Sequence, residues 1–261
     1  MNVRTLSVTG ALDALRDLPA GFARAVATDA DGTLWEGDVG DALFRLVTAR
    51  EALSEASREA LAWSCAAWLG ESPKSPAAQA EAVIAGHAAG RVDIRDLCDL
   101  EAACAGDRPR AEFDALLGEV AAEFAARMRD ESVRLLGALR AEGFAVHVVS
   151  GSLGDLVRAT LQAAGVTVDR VSGGELAAGE DAVSSRLVAP IPLHGGKVDA
   201  LRAAGHWPAA VGMGDGGWDA TFLRGCALPL LVHPKASLLD AMKDHPLVAR
   251  LSDVPIISAA T

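Results

Sequence analysis

Arg24-Ala25-Val26-Ala27-Thr28 runs directly into Asp29-Ala30-Asp31-Gly32-Thr33, so a short apolar segment ends on two carboxylates one residue apart. An unbroken apolar run of this length suits a strand buried on both faces, as in a parallel sheet beneath helices. Four more runs repeat the pattern: Ala145 to Val149 into Ser150-Gly151-Ser152, Val166 to Val171, Ala209 to Val211 into Gly212-Met213-Gly214-Asp215, and Leu228 to Val232. Between them, Leu135 to Ala141 and Leu153 to Ala164 carry apolar residues at helical spacing and stop at Gly143 and Gly165. This alternation predicts an α/β fold, a doubly wound, Rossmann-like parallel sheet.

The stretch from Gly40 to Arg129 has a different character. It is alanine-rich, charged at helical intervals and free of strand-like runs. Helices are expected at Asp41 to Arg50, Ser54 to Leu69, Ala77 to Ala89, Ile94 to Cys104 and Ala111 to Met128, punctuated by Gly70, Pro73, Pro76, Gly90, Gly106 and Pro109. The reading is a core domain of residues 1–39 and 130–261 with an all-helical domain, 40–129, inserted after the first strand.

Composition narrows the function. At 261 residues and 51% hydrophobic, the chain can bury a large core, and much of its positive mean hydropathy comes from alanine. No apolar run approaches the roughly eighteen residues that span a bilayer, and Met1 to Gly10 lacks a basic start followed by an apolar stretch. Cys65, Cys98, Cys104 and Cys226 form no CxxC pair and read as reduced thiols. The expectation is a cytoplasmic protein without a membrane partner. A formal charge of −11 argues against a nucleic-acid partner, which needs a concentrated basic face. The oligomeric state leaves no mark in the sequence.

Four sites carry chemistry. Asp29 and Asp31, at a strand's C-terminal end, would lie in the crevice where open α/β sheets bind ligands. Such a close pair persists where a cation binds or where one member holds a proton. Gly32 permits a sharp turn there. An EF-hand does not fit, because its third ligand position is Thr33 and no helix precedes. Ser150-Gly151-Ser152-Leu153-Gly154-Asp155 sits at a strand-to-helix junction, where a hydroxyl and free N–H groups can seat phosphate oxygens; Ser152 and Asp155 also have capping-box spacing. Lys197 follows two glycines in a chain with four lysines and twenty arginines, and is no Walker A lysine, since Val198 follows it. Gly212-Met213-Gly214-Asp215-Gly216-Gly217-Trp218-Asp219 supplies a second acidic pair, and oxygen ligands from both pairs suit Mg²⁺. Its glycines satisfy GxGxxG by count, but Asp215 would repel a pyrophosphate there.

In this order the four sites resemble the motifs of the haloacid dehalogenase superfamily, over residues 22 to 37 and 130 to 235, and the helical insert is similar to the C1-type caps of its phosphoserine-phosphatase-like branch. The resemblance implies a Mg²⁺-dependent phosphomonoesterase. Asp29 would attack phosphorus and form an aspartyl-phosphate, while Asp31 would protonate the leaving oxygen and then activate water. The metal would be held by Asp29, the Asp31 backbone carbonyl and Asp215, with Asp219 supporting. Ser150, the Gly151 N–H and Lys197 would hold the phosphoryl group, and Thr33 would brace the first loop. Dehalogenating members lack the acid at the place of Asp31, so a small phosphate ester is the expected partner: phosphoserine-like, an amino alcohol phosphate or similar. Trp35, Glu36, Asp38 and Trp218 are the candidate pocket residues, and two such rings could face a quaternary ammonium. Trp63 and Trp68 are expected in the core.

Three other readings stay open at this point, the last a non-catalytic phosphate-binding or interaction module, against which the presence of all the expected reactive side chains argues. A phosphomutase would use the same scaffold and pass the phosphoryl group back to substrate. A serine esterase would use Ser152, since Ser150 to Gly154 nearly matches GxSxG but lacks its first glycine. The six histidines form no HExxH or paired pattern, which argues against a zinc enzyme.

Overall fold

A computed structural model describes residues 4–16, 20–189, 191–246 and 248–252; the tail 253–261, assigned to the core from sequence, lies outside these residues. Strand β1 (Arg4–Leu6) and helix α1 (Val8–Ala14) precede β2 (Ala23–Thr28). Then come α2 (Val39–Ala49), α3 (Glu55–Leu69), α4 (Pro76–Ala88), α5 (Ile94–Ala105), the two-residue strand β3 (Arg108–Pro109) and α6 (Arg110–Ala125). Helix α7 (Asp130–Ala141) leads to β4 (Ala145–Leu153), α8 (Gly154–Ala163) and a hairpin of β5 (Arg170–Ala178) and β6 (Ala182–Ala189). The chain continues through α9 (Gly195–Ala203), β7 (Ala209–Gly214), α10 (Ala220–Leu223), β8 (Leu228–Leu231), α11 (Ala236–Ala241) and β9 (Ala249–Leu251).

The strands form one sheet in the order β1-β9-β8-β7-β2-β4-β5-β6-β3. Pairings from β1 through β5 are parallel, while β5–β6 and β6–β3 are antiparallel. The expected α/β class and doubly wound sheet are therefore present. Successive residues of a strand face opposite sides, and β2 divides accordingly: Val26 joins the apolar cluster that includes Val146, Val211 and Leu136, whereas Ala25 and Ala27 join Val198, Leu201 and Phe222 on the other face. Because β2 lies between β7 and β4, with Thr28 level with Met213 and Val148, the loops after these three strands open side by side.

The inserted helices end where their sequence signals stand. Ser54 caps α3 by accepting from Ser57 N at 3.1 Å, Ser75 caps α4 ahead of Pro76, and Gly70 stops α3 in the left-handed region at φ +79°. Their apolar faces merge with the cluster on one side of the sheet, from Val47 and Leu61 to Val146.

Three expectations change. The strand foreseen at Val166 to Val171 begins at Arg170 and runs to Ala178, because 166–169 form the connection and Asp169 caps the β4 edge by accepting from Val146 N at 2.8 Å. The insert is not wholly helical, since β3 pairs Arg108 with Val183 of the hairpin. Gly106 approaches so closely that a Cβ there would overlap the Ser184 and Ser185 backbone, and Asp107 Oδ1 accepts from Ser185 N at 2.8 Å. Trp63 is 67% exposed on α3, not core, whereas Trp68 packs half-buried against the core as expected. Among the described residues, no helix is long and apolar enough to cross a membrane.

Candidate active site

The three loops at the C-terminal ends of β2, β4 and β7, together with the start of α9, enclose the charged residues picked out by sequence. Asp29 follows β2 directly, and its N–H donates to Met213 O at 2.9 Å, tying the first and fourth motifs together. Its carboxylate is 7% exposed. Lys197 Nζ, itself buried, donates to Asp29 Oδ1 at 2.6 Å and to Asp219 Oδ1 at 2.7 Å. Thr33 Oγ1 lies 3.4 Å from Asp29 Oδ2, a long contact that braces the loop. Asp219 Oδ2 accepts from the N–H groups of Asp215 and Gly216 at 3.2 and 3.0 Å, which folds the fourth loop around it.

Asp215 packs against the backbone of Gly32. That glycine has φ +78°, and a Cβ there would overlap the Asp215 carboxylate, so both the turn and the close approach require glycine. Asp29, Asp215 and Asp219 each bring a carboxylate oxygen within 4.8 Å of the others. This all-oxygen set suits a hard divalent cation. The electrostatics point the same way. Burial, then the Asp219 carboxylate, pushes Asp29 well above the usual carboxylate range; Lys197 opposes this, while Asp215 and Asp31 add to it. Burial pulls Lys197 down, but Asp219 and Asp29 outweigh it, and the ammonium holds its proton more tightly than usual. The cluster carries more negative charge than Lys197 offsets, and a bound cation would supply the difference.

Asp31 is held separately. Its Oδ1 accepts from Trp35 Nε1 and Val39 N, both at 2.8 Å, and its Oδ2 accepts from Ser152 Oγ at 2.7 Å and Ser150 Oγ at 3.3 Å. With its carboxylate so engaged, Asp31 is not among the aspartates whose carboxylate oxygens converge, which are Asp29, Asp215 and Asp219. Ser152 thus does not cap α8: that helix has no side-chain cap, and Asp155 pairs instead with Arg158 at 2.7 Å. The reason is proximity, since the irregular end of β4, where its register against β5 shifts between Val149 and Leu153, lays the hydroxyl on Asp31.

These groups open into a cavity of about 980 Å³ between the sheet loops and the inserted helices. Asp29, Asp31, Gly151, Lys197, Asp215 and Asp219 line it from the sheet side. Of the four candidate pocket residues, Asp38 and Trp218 line the cavity and Trp35 and Glu36 do not. Trp35 is fully buried with its indole N–H on Asp31, and Glu36 is exposed outside the cavity. Trp218 meets the His194 ring edge-on at 4.6 Å and stacks near the His87 ring at 6.4 Å, so the cavity wall it forms is shared with His87, which also lines the cavity, and not with Trp35.

The family model described as haloacid dehalogenase-like hydrolase matches residues 26–224, which contain all four motifs. The chain is a haloacid dehalogenase-like hydrolase. This hydrolase is 38% identical over 146 residues to a phosphoserine phosphatase of Halobacterium salinarum (strain ATCC 29341 / DSM 671 / R1), covering 53% of this chain and 68% of the relative. A protein of unknown function from Bordetella pertussis Tohama I superposes with a TM-score of 0.70 at 12% identity, covering 89% of this chain and all of that one. A probable phosphoserine phosphatase from Vibrio cholerae superposes with a TM-score of 0.54 at 16% identity, covering 87% of this chain and 61% of its own. At such identities the two structures speak for the fold alone.

The structure of the hydrolase adds residues that the sequence reading passed over. Lys235 Nζ pairs with Asp215 Oδ2 at 2.9 Å, and its N–H donates to Asp215 O at 2.8 Å. The scarcity of lysine that singled out Lys197 applied equally to Lys235. On the cap side, Asp38, Asp41 and Glu101 gather on the cavity wall. Burial first, then the Asp38 and Asp41 carboxylates, raises Glu101 well above the ordinary range. Their assembly from α2 and α5, helices far apart in sequence, left no local signal.

Proposed function

We propose that this hydrolase is a phosphatase that removes the phosphoryl group from a small phosphate monoester through a covalent intermediate on Asp29. The single observation that carries the reading is the clasp on that residue: one buried carboxylate, a buried ammonium at 2.6 Å, and two further aspartates alongside. Asp29, Asp215 and the Asp31 carbonyl would hold Mg²⁺, with Asp219 organising the loop. When bound, the ion supplies charge neutralisation for the nucleophile and the phosphoryl oxygens.

The chain's own groups divide the remaining work. Lys197 keeps the Asp29 carboxylate aimed and partly neutralised, and phosphoryl transfer needs mostly such positioning and charge stabilisation. The Gly151 N–H stands at the cavity end of β4, where phosphoryl oxygens would be seated, whereas the Ser150 hydroxyl, expected beside it, is fully buried behind the cavity lining and faces Asp31. Asp31, held apart from Lys197 by its own partners, exchanges a proton with the leaving oxygen and then with water. The helices of residues 40–129 act as the cap that keeps bulk water from the intermediate.

The substrate is a small ester bearing an amino group, phosphoserine-like or an amino alcohol phosphate. The acidic wall of Asp38, Asp41 and Glu101 supports this, as does the relative named as a phosphoserine phosphatase. A serine esterase built on Ser152 would need a histidine base at that hydroxyl, and the partner the hydroxyl has is the Asp31 carboxylate, which favours the phosphatase reading. Phosphate release from phosphorylated amino acids, amino alcohols and sugars, with and without Mg²⁺, tests the proposal. Activity is expected to vanish with EDTA, return with Mg²⁺, and be absent in Asp29→Asn with the fold intact; near-normal turnover in that variant refutes the role of Asp29.

A further inference from the structure

We infer that Ser152 is a positioning residue for the Asp31 carboxyl, and that Oδ2 of Asp31 is the oxygen through which the transferred proton passes. The inference rests on the phosphatase reading above.

The two oxygens of Asp31 have unlike surroundings. Oδ1 accepts from the Trp35 indole N–H and the Val39 backbone N–H, each at 2.8 Å. Both partners can only donate, so a proton on Oδ1 would face two other protons. Oδ2 accepts from the hydroxyls of Ser152 at 2.7 Å and Ser150 at 3.3 Å. A hydroxyl donates or accepts as its rotor turns, so a proton on Oδ2 would meet an oxygen lone pair where a proton on Oδ1 would meet fixed N–H groups.

Ser152 is committed to this task. It is buried, lines the cavity beside Asp31 and gives nothing to α8. Its own N–H donates to Ser150 Oγ at 3.1 Å, which ties the Ser152 backbone to the second hydroxyl on Oδ2. The place where a Gly40 Cβ would stand is only 3.3 Å from Ser152 Oγ, so the first turn of α2 packs down on the hydroxyl and leaves it little room to turn away.

The chemistry balances through that oxygen. In the first transfer, an Asp29 oxygen bonds to phosphorus as the ester P–O bond breaks, and the electron pair stays on the ester oxygen, which takes a proton from Asp31 Oδ2. In the second, water gives a proton to Oδ2 as its oxygen bonds to phosphorus, and the bond from phosphorus to Asp29 breaks to return the carboxylate.

The test compares two leaving groups on the full-length protein with Mg²⁺. An alkoxide leaves only with a proton, whereas p-nitrophenolate departs as a stable anion. General acids typically contribute about 10²- to 10⁴-fold, so Ser152→Ala is expected to lower kcat/KM for O-phosphoethanolamine about tenfold or more, and for p-nitrophenyl phosphate less than about threefold. Ser152→Thr keeps a hydroxyl and should restore the ratio of the two, and Trp35→Phe, which removes a donor from Oδ1, should lower it. Circular dichroism and thermal melting establish that each variant is folded. Equal losses on both esters would mean a structural role only, and no loss on either would mean no role; both overturn the inference while the phosphatase reading stands. A parent protein that hydrolyses neither ester sinks the phosphatase reading and this inference with it.

Discussion

Replacing Lys197 with Met isolates the electrostatics of the clasp. The substitution keeps the unbranched stem and removes the ammonium, which stands 2.6 Å from Asp29 and 2.7 Å from Asp219, with both carboxylates and the lysine buried. Removing one partner of a buried ion pair costs about 3 to 5 kcal/mol, because the other charge is left uncompensated. A chain of this size loses about 2 to 4 °C of melting temperature per kcal/mol, so a drop of roughly 6 to 20 °C follows for melting at pH 7 without divalent cation. The effect should shrink as pH falls, since Asp29, raised by burial and Asp219, takes up a proton and then needs no partner. In the parent protein the sign is opposite: Lys197 holds its proton more tightly when folded, so its contribution is complete at neutral pH and fades only in strong alkali. Arg202→Ala serves as the comparison, since Arg202 and Asp199 are 62% and 76% exposed, and such surface pairs change stability by no more than about 0.5 kcal/mol. A melting temperature for Lys197→Met within 2 °C of the parent, about the value of one surface pair, would refute the argument.

Two further outcomes follow from single positions. His147 is fully buried, with Nε2 2.8 Å from Ser172 Oγ and Nδ1 3.3 Å from His206 Nδ1. Burial, then His206, lowers its pKa to about 4. The unfolded chain therefore binds the proton first as pH drops, and stability is complete above about 6.5, falling by roughly 3 kcal/mol as pH approaches 4. Urea denaturation at pH 7.5 and 4.5 measures this, and His147→Gln should flatten that part of the dependence. Gly32→Ala forces a side chain into positive φ and against Asp215; a loss of about 1 to 3 kcal/mol in stability is expected, with weaker divalent-cation binding by calorimetry, and unchanged values for both would show the loop to be slack.

The parts legible in sequence were those specified locally. Buried parallel strands announce themselves as unbroken apolar runs, and β2, β4, β7 and β8 lay under the runs that predicted them, with the reactive side chains at their ends. The cap helices carried their own punctuation in Gly70, Pro76 and Gly90, while the caps Ser54, Ser75 and Asp93 emerged with the structure. What escaped was specified by distant partners. The β5–β6 hairpin reads Arg170-Val-Ser-Gly-Gly-Glu at its start and Ser184-Ser185 in its return strand, with too few apolar residues in series to signal a strand; pairing with β3 and packing against α5 define it. Strands β1 and β9 are three residues each, below any periodicity. Ser152 looked like a cap because spacing along the chain cannot show that a hydroxyl lies closer to Asp31 than to the helix that follows it. Trp35 looked like a pocket wall for the same reason, while its N–H is spent on Asp31.

The pairing of β3 with β6 makes the insert a poor candidate for excision. Trimming residues 40–129 would remove the strand that meets β6 at Ala182 and Val183 and the Asp107 carboxylate that accepts from Ser185 N, leaving β6 as the outermost strand along its whole length. An exposed strand of that kind invites other copies of the chain to add to it. On the function proposed above, the same ninety-residue segment would both shield the nucleophile from water and cover this stretch of β6, so losing it would cost the protein in two places at once.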